Sequence, residues 1–258
     1  MKRLAIAIML IGVSAGSALA YSSPFAGTWK LNVKMSKFTG DTFTYTESAK
    51  GFHYSNGSTI SYDFAMDGKD YTILPGRTMA WTKVGDHAWE VVAKNEDKVL
   101  SKTHREISAD GKKMISSYVE YRPDGKTVTE SDVYDRVSGS HGLAGKWKDV
   151  KVQAATDAMT ITTPSAGQFE LSVPSYKETI SGPTDGTPVE IKGPTVPPGA
   201  MATYKAVAPG KWEYSITLKG KAYVKGVMTV SAGGKMLTDT SWVPQKEAEK
   251  TVAVYDKS

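Results

Sequence analysis

The chain has 258 residues, with 32 Lys and Arg against 27 Asp and Glu, a formal net charge of +5 and no cysteine. The charge is scattered, with no basic run that could track a phosphate backbone, which argues against nucleic acid as a partner. Without cysteine there are no disulfides and no thiolate metal sites, so each folded unit must be held by its own apolar core.

Residues 1–20 read as a cleavable signal peptide. Lys2 and Arg3 precede an apolar run from Leu4 to Val13, and Ala18-Leu19-Ala20 is a small-x-small cleavage signature. The run is shorter than the roughly 20 residues a bilayer span needs, so no stable membrane insertion is expected after cleavage. The mature chain, with 30 basic and 27 acidic residues, is expected in a periplasm or outside the cell.

The mature part opens on Phe25-Ala26-Gly27-Thr28-Trp29-Lys30. Residues 59–66 then alternate apolar and polar side chains, with Ile60, Tyr62, Phe64 and Met66 on one face, which is the period of a half-buried strand. Asn56-Gly57, Asp67-Gly68, Asp110-Gly111 and Asp124-Gly125 supply the turn chemistry of tight hairpins. Between them Val99, Ser101, Thr103, Arg105 and Ile107 share one face of a strand, with Glu120, Glu130 and Asp132 on strands nearby. If Arg105 faces inward it needs a carboxylate or an acidic ligand, because an unpaired buried charge is costly. An exterior ladder of ion pairs is the expected arrangement.

The first unit closes on Tyr134-Asp135-Arg136, and residues 138–142, Ser-Gly-Ser-His-Gly, read as a linker. The pattern then restarts. Leu143-Ala144-Gly145-Lys146-Trp147-Lys148 repeats the opening, Pro198-Gly199 repeats Pro75-Gly76, Trp212 repeats Trp89, and Tyr255-Asp256-Lys257 repeats the close. Landmarks in unchanged order mark a duplicated unit. Residues 21–137 form repeat one and 143–258 repeat two. Residues 182–199 of the second repeat hold five of the chain's 12 prolines and are expected as a loop at a sheet end, either decorative or a lid. Residues 211–218 carry Trp212, Tyr214, Ile216 and Leu218 on one face.

No segment sustains a helical period, and about eight to ten short strands per repeat follow one another through hairpins, so the expected fold is all-β. Sheets of that size close rather than leave long edges. The expectation is two tandem up-and-down antiparallel barrels, with a sandwich as the alternative.

The Gly-Thr-Trp-Lys and Gly-Lys-Trp-Lys openings resemble lipocalin-like and fatty-acid-binding-protein-like barrels, the calycin group, and the repeats are similar to bacterial secreted lipocalin-like domains. The resemblance implies that an indole plugs the closed end of each barrel beneath a basic side chain of the last strand. It pairs Trp29 with Arg136 in one repeat and Trp147 with Lys257 in the other. The helical lid and the Arg-x-Tyr carboxylate motif of fatty-acid-binding proteins are not carried over. Residues 32–42 are too short for two helices, and Tyr134-x-Arg136 has the reverse order.

Tyr62, Phe64, Trp89, Arg105, Trp212 and Tyr214 are the candidate ligand-binding residues, on faces that either line a cavity or fill a packed core. Arg105 aligns with Met228, so the two lumens would differ in chemistry. His53, His87, His104 and His141 are isolated and do not recur between repeats, so no metal site is expected, and no nucleophile elbow or acid–base pair marks a catalytic residue. No cofactor is implied. The leading expectation is a carrier of a small hydrophobic or amphipathic molecule. A packed envelope-interaction module, or an isomerase- or hydratase-type enzyme on the same fold, are the alternatives.

Overall fold

The structure, a computed structural model, describes residues 23–151 and 157–258; the expected signal peptide, residues 1–20, lies outside them. The described residues form strands and turns without a helix, in two antiparallel ten-stranded sheets.

The chain enters through β1 (Gly27–Leu31), then runs through β2 (Thr42–Ser48), β3 (Gly51–Ser55), β4 (Ser61–Phe64), β5 (Asp67–Leu74), β6 (Arg77–Lys83) and β7 (Ala88–Asn95). It continues through β8 (Lys98–Ile107), β9 (Lys113–Tyr121), β10 (Thr127–Ser138) and β11 (Gly145–Lys151). The second half supplies β12 (Ala158–Thr162), β13 (Gln168–Val173), β14 (Glu178–Pro183), β15 (Val189–Lys192) and β16 (Ala200–Ala208). It ends with β17 (Lys211–Leu218), β18 (Lys221–Val230), β19 (Met236–Trp242) and β20 (Thr251–Lys257). Alternation makes the strands: in β4 Tyr62 and Phe64 are buried while Ser61 and Asp63 are exposed, so one face enters a core.

The sheets are not the two repeats. β1 does not join β2; it pairs with β12 on one side and β20 on the other, closing the second barrel in the order β1, then β12 to β20. β11 takes the equivalent place in the first sheet, between β10 and β2. That sheet runs from β4 through β3, β2, β11 and β10 down to β5, and its edges β4 and β5 are joined through Ala65 and Met66, so the first barrel is nearly closed. The opening strand of each repeat is thus built into the barrel of the other.

Local geometry accounts for the exchange. The two openings carry the same Gly-x-Trp, so either can complete either barrel. Of residues 138–142, read as an interdomain linker, Ser138 ends β10 and residues 139–142 lie in the connection between β10 and β11, adjacent strands of one sheet. Gly139 and Gly142 both take positive φ there, 89° and 56°, which suits a tight reversal into an antiparallel neighbour. The described crossing between barrels is made by residues 32–41, which lead from β1 to β2.

The plug pairing is corrected accordingly. Arg136 stands over Trp147, 4.1 Å from the ring centre, and Lys257 over Trp29 at 5.0 Å. Trp29 faces Lys257 in the β1–β20 register and Trp147 faces Arg136 in the β10–β11 register. Each indole donates four residues back, Trp29 to the Phe25 carbonyl at 2.8 Å and Trp147 to the Leu143 carbonyl at 2.9 Å. The glycine of the motif makes room for the cation. Gly27 and Gly145 take φ of 145° and 139°, and a Cβ there would collide with Lys257 and with Arg136 respectively. Both Trp29 and Trp147 are fully buried.

Each barrel has its own core. Phe43, Tyr45, Phe64, Trp81, Met114 and Trp147 centre the first, and Phe25, Trp29, Ile161, Phe169, Ala202 and Leu237 the second. Phe25 precedes β1 yet stacks on Trp212 at 3.8 Å, so the described chain just ahead of β1 packs on the second barrel.

Candidate binding site: the facing mouths of the barrels

In an up-and-down barrel the chain reverses at every hairpin, so alternate turns share an end. The plugs occupy one end of each barrel. At the other, the turns β3–β4, β5–β6, β7–β8 and β9–β10 of the first barrel meet the turns β13–β14, β15–β16, β17–β18 and β19–β20 of the second. Lys221 and Tyr223 donate to the carbonyls of Ser58 and Thr59 at 3.2 and 3.4 Å, Asn95 to that of Pro194 at 3.2 Å, and Ser58 to that of Pro244 at 2.8 Å. Tyr176 donates to Glu120 at 3.1 Å, and the Asp124 amide to the Ser175 carbonyl at 3.3 Å. The matched turns of the duplication touch, since Gly76 lies against Pro198. The barrels therefore stand mouth to mouth.

Two cavities occupy this junction. One, about 320 Å³, is the mouth of the first barrel: Met79, Ala93, Ser101 and Glu120 line it from successive strands, and Tyr176, Glu178 and Thr195 cover it from the second barrel. The other, about 240 Å³, is the mouth of the second barrel, lined by Ile191, Ala200, Ile216 and Leu218 and covered by Leu74 and Arg77. Arg77 and Glu178 line both. Arg77 Nη2 donates to the Thr195 carbonyl, and the Thr195 hydroxyl donates to Glu178 Oε1 at 3.4 Å. Burial pushes the Glu178 carboxyl up and, less usually, the Arg77 guanidinium down. The proline-rich segment, residues 182–199, carries Thr195 and so forms part of the wall between the cavities.

Deeper in the first barrel lies Arg105. Its strand alternates with exposed Lys102, His104 and Glu106 on the outer face, so Thr103, Arg105 and buried Ile107 face inward. The expected exterior ion-pair ladder is corrected: outside, His104 meets Glu90 at 2.7 Å, while Arg105 donates to the Tyr45 hydroxyl and stands over Trp81, 5.1 Å from its ring centre. No carboxylate lies within ion-pair distance of it among the described residues. The nearby acids are engaged elsewhere, Glu120 with Arg122 at 3.0 Å and Glu130 with the Tyr118 hydroxyl at 2.5 Å. Arg105 Nε and the hydroxyl of its cross-strand neighbour Ser116 are both buried without a partner. Tyr45, Tyr54, Tyr62 and Tyr134 surround the guanidinium, and burial pushes all four phenols up, so they remain protonated.

Arg105 lines neither cavity. Above it, Trp81 donates to the Tyr62 hydroxyl at 3.3 Å, and that hydroxyl contacts the Met79 sulfur at 3.3 Å, so Tyr62 joins the cavity wall to the charged layer. Phe64 stacks on Trp81 at 4.6 Å, and Trp89 lies beside Arg105 in the β7–β8 register. The six candidate residues are consequently divided: Tyr62, Phe64, Trp89 and Arg105 share the first barrel, Trp212 and Tyr214 the second.

The second barrel repeats this row with other chemistry. Where the first has Trp89, Arg105 and Ser116 side by side, the second has Trp212, Met228 and Asp239. Asp239 accepts from the Tyr214 hydroxyl at 3.0 Å, and its carboxyl is pushed up to about 6 by burial, against which the Tyr214 hydrogen bond acts. Tyr214 stacks on Tyr204 at 5.4 Å and crosses β18 at Gly226, where a Cβ would overlap its ring. Ser116 and Asp239 escaped the sequence reading, although each sits two residues from a buried apolar partner, Met114 and Leu237. Arg77, Glu178 and Thr195 carried no such signal, because their partners come from the opposite barrel.

Fold and site define a tandem antiparallel β-barrel protein with two unlike interiors opening on a shared junction. No protein-family model matches the chain, and neither a curated protein nor a solved structure matches it.

Proposed function

We propose that the chain is an exported lipocalin-like carrier that takes up a small amphipathic molecule at the junction of the barrels, with the molecule's acidic end drawn toward Arg105. One observation carries this reading: a guanidinium on the inner face of the first barrel, ringed by protonated tyrosines and without a carboxylate partner among the described residues. Such a charge is costly to enclose, and an incoming carboxylate would offset that cost. The apolar body of the ligand would lie in the cavity of about 320 Å³ above it, between Met79 and Tyr176. Tyr62 must yield for the two to meet. Export rests on the leader-like residues 1–20 and places the carrier in the periplasm or outside the cell.

Protein purified from its native envelope should bring down a bound acid visible by native mass spectrometry, and a fluorescent fatty acid analogue should bind and be displaced by it. Arg105→Met should weaken binding of that analogue about tenfold to a hundredfold, the worth of a charge-assisted hydrogen bond. A clean apoprotein that binds no such probe overturns the reading. It would favour a packed interaction module instead, which the close ring packing of Phe64 on Trp81 supports.

A further inference from the structure

The mouth of the second barrel has a wall of aliphatic side chains, and its charged lining residues are Arg77 and Glu178. These two do not form an ion pair, since no contact within 4 Å joins them among the described residues. Thr195 stands between them. Its carbonyl takes Arg77 Nη2 and its hydroxyl takes up one oxygen of Glu178. Arg77 Nε is buried with no acceptor, and Glu178 Oε1 accepts from the Thr195 hydroxyl. The cavity is thus lined by one cationic and one anionic group, both bonded to Thr195, with Leu74, Ile191 and Leu218 among its other lining residues.

We propose that this mouth is a second ligand site, separate from the Arg105 layer, and that it takes a neutral aliphatic molecule whose polar end both accepts and donates, such as a hydroxyl. The charge balance selects that class. An anion would gain Arg77 but face Glu178, and a cation would gain Glu178 but face Arg77; beside a mostly apolar wall either mismatch is unfavourable. A hydroxyl that accepts from the Arg77 guanidinium and donates to Glu178 satisfies both groups and carries no charge inward. The aliphatic wall holds the chain. The inference does not depend on what binds at Arg105.

Titration calorimetry of the mature chain at neutral pH with n-octanol, octanoate and octylamine tests the assignment. The wild type is expected to bind n-octanol, and Arg105→Met to leave that binding unchanged. Glu178→Gln should weaken n-octanol less than it strengthens octanoate, because the opposing charge is gone. Arg77→Met should weaken n-octanol about tenfold and let octylamine bind. If Arg77→Met fails to fold by circular dichroism, the response to Glu178→Gln decides alone. The proposal is overturned if n-octanol does not bind, if its binding ignores Glu178→Gln and Arg77→Met, or if the Arg105→Met protein, in which the first site's cation is gone, prefers octanoate or octylamine.

Discussion

Arg136 lies over Trp147, 4.1 Å from its ring centre, although the two belong to different repeats. The contact spans one hairpin, β10 to β11, and its counterpart between Lys257 and Trp29 joins the two ends of the described chain. Each half therefore completes the other, which makes the first prediction specific. Trp29→Ala should destabilise by about 3–5 kcal/mol, as large aromatic deletions in cores do. Hydrogen exchange followed by mass spectrometry should show the loosening in β12 and β20, which flank Trp29, and not in β2, its neighbour in sequence. Loosening confined to β2 and β3 would contradict the exchange.

The two plugs are unequal. Arg136 also donates to the carbonyls of Gly111, Ala144 and Gly142 at 2.5, 2.7 and 2.6 Å, whereas Lys257 is exposed apart from its place over the ring. Arg136→Met should therefore cost about 2–4 kcal/mol by leaving carbonyls without donors, and Lys257→Met about 0.5–1 kcal/mol, the scale of an exposed cation over an indole. Urea denaturation of the two variants ranks them. Equal losses would mean that the ring contact, and not the carbonyl cradle, holds Arg136.

Asp239 gives stability a pH dependence. Its folded carboxyl titrates at about 6 against an ordinary 3.8, so the folded state keeps a proton that the unfolded chain releases. Its favourable contribution is complete below about pH 4, is lost as pH rises to about 6, and changes little beyond. Asp239→Asn retains an acceptor for Tyr214 and removes the ionisation. Relative to wild type it should gain up to about 3 kcal/mol between those limits, read from denaturation midpoints over a pH series. A constant difference across the series would show that Asp239 does not carry the effect.

Gly226 lets the Tyr214 ring cross β18 to reach Asp239. Gly226→Ala should cost about 1–3 kcal/mol, the range for overpacking, by pushing the ring aside. In a Tyr214→Ala background the same substitution should cost far less, a coupling that a thermal double-mutant cycle measures. Additive effects would place the Gly226 requirement elsewhere.

Much of the fold was legible because strand pattern is local. β17 runs over residues 211–218 as the alternation of Trp212, Tyr214, Ile216 and Leu218 predicts, and the strand read over residues 59–66 survives as the shorter β4, whose flanking Ile60 and Met66 still pack on the core. The site was legible only in part. Arg105 stood out as an unusual inward candidate, but whether it turned in or out depended on its register with Trp89 and Ser116, and alternation alone leaves both faces open when each carries polar residues.

The sequence by itself determined that the chain is all-β, built on hairpins and carries the Gly-x-Trp opening twice, because turn chemistry and side-chain period act between near neighbours. Only the tertiary structure decided which strand completes which barrel, since two equivalent openings compete for two equivalent gaps and the short β10–β11 reversal settles the contest. It likewise decided that the open ends face each other, bringing Arg77 of one barrel beside Glu178 and Thr195 of the other. No local pattern encodes that meeting, because its residues lie about a hundred positions apart and meet only once both barrels exist.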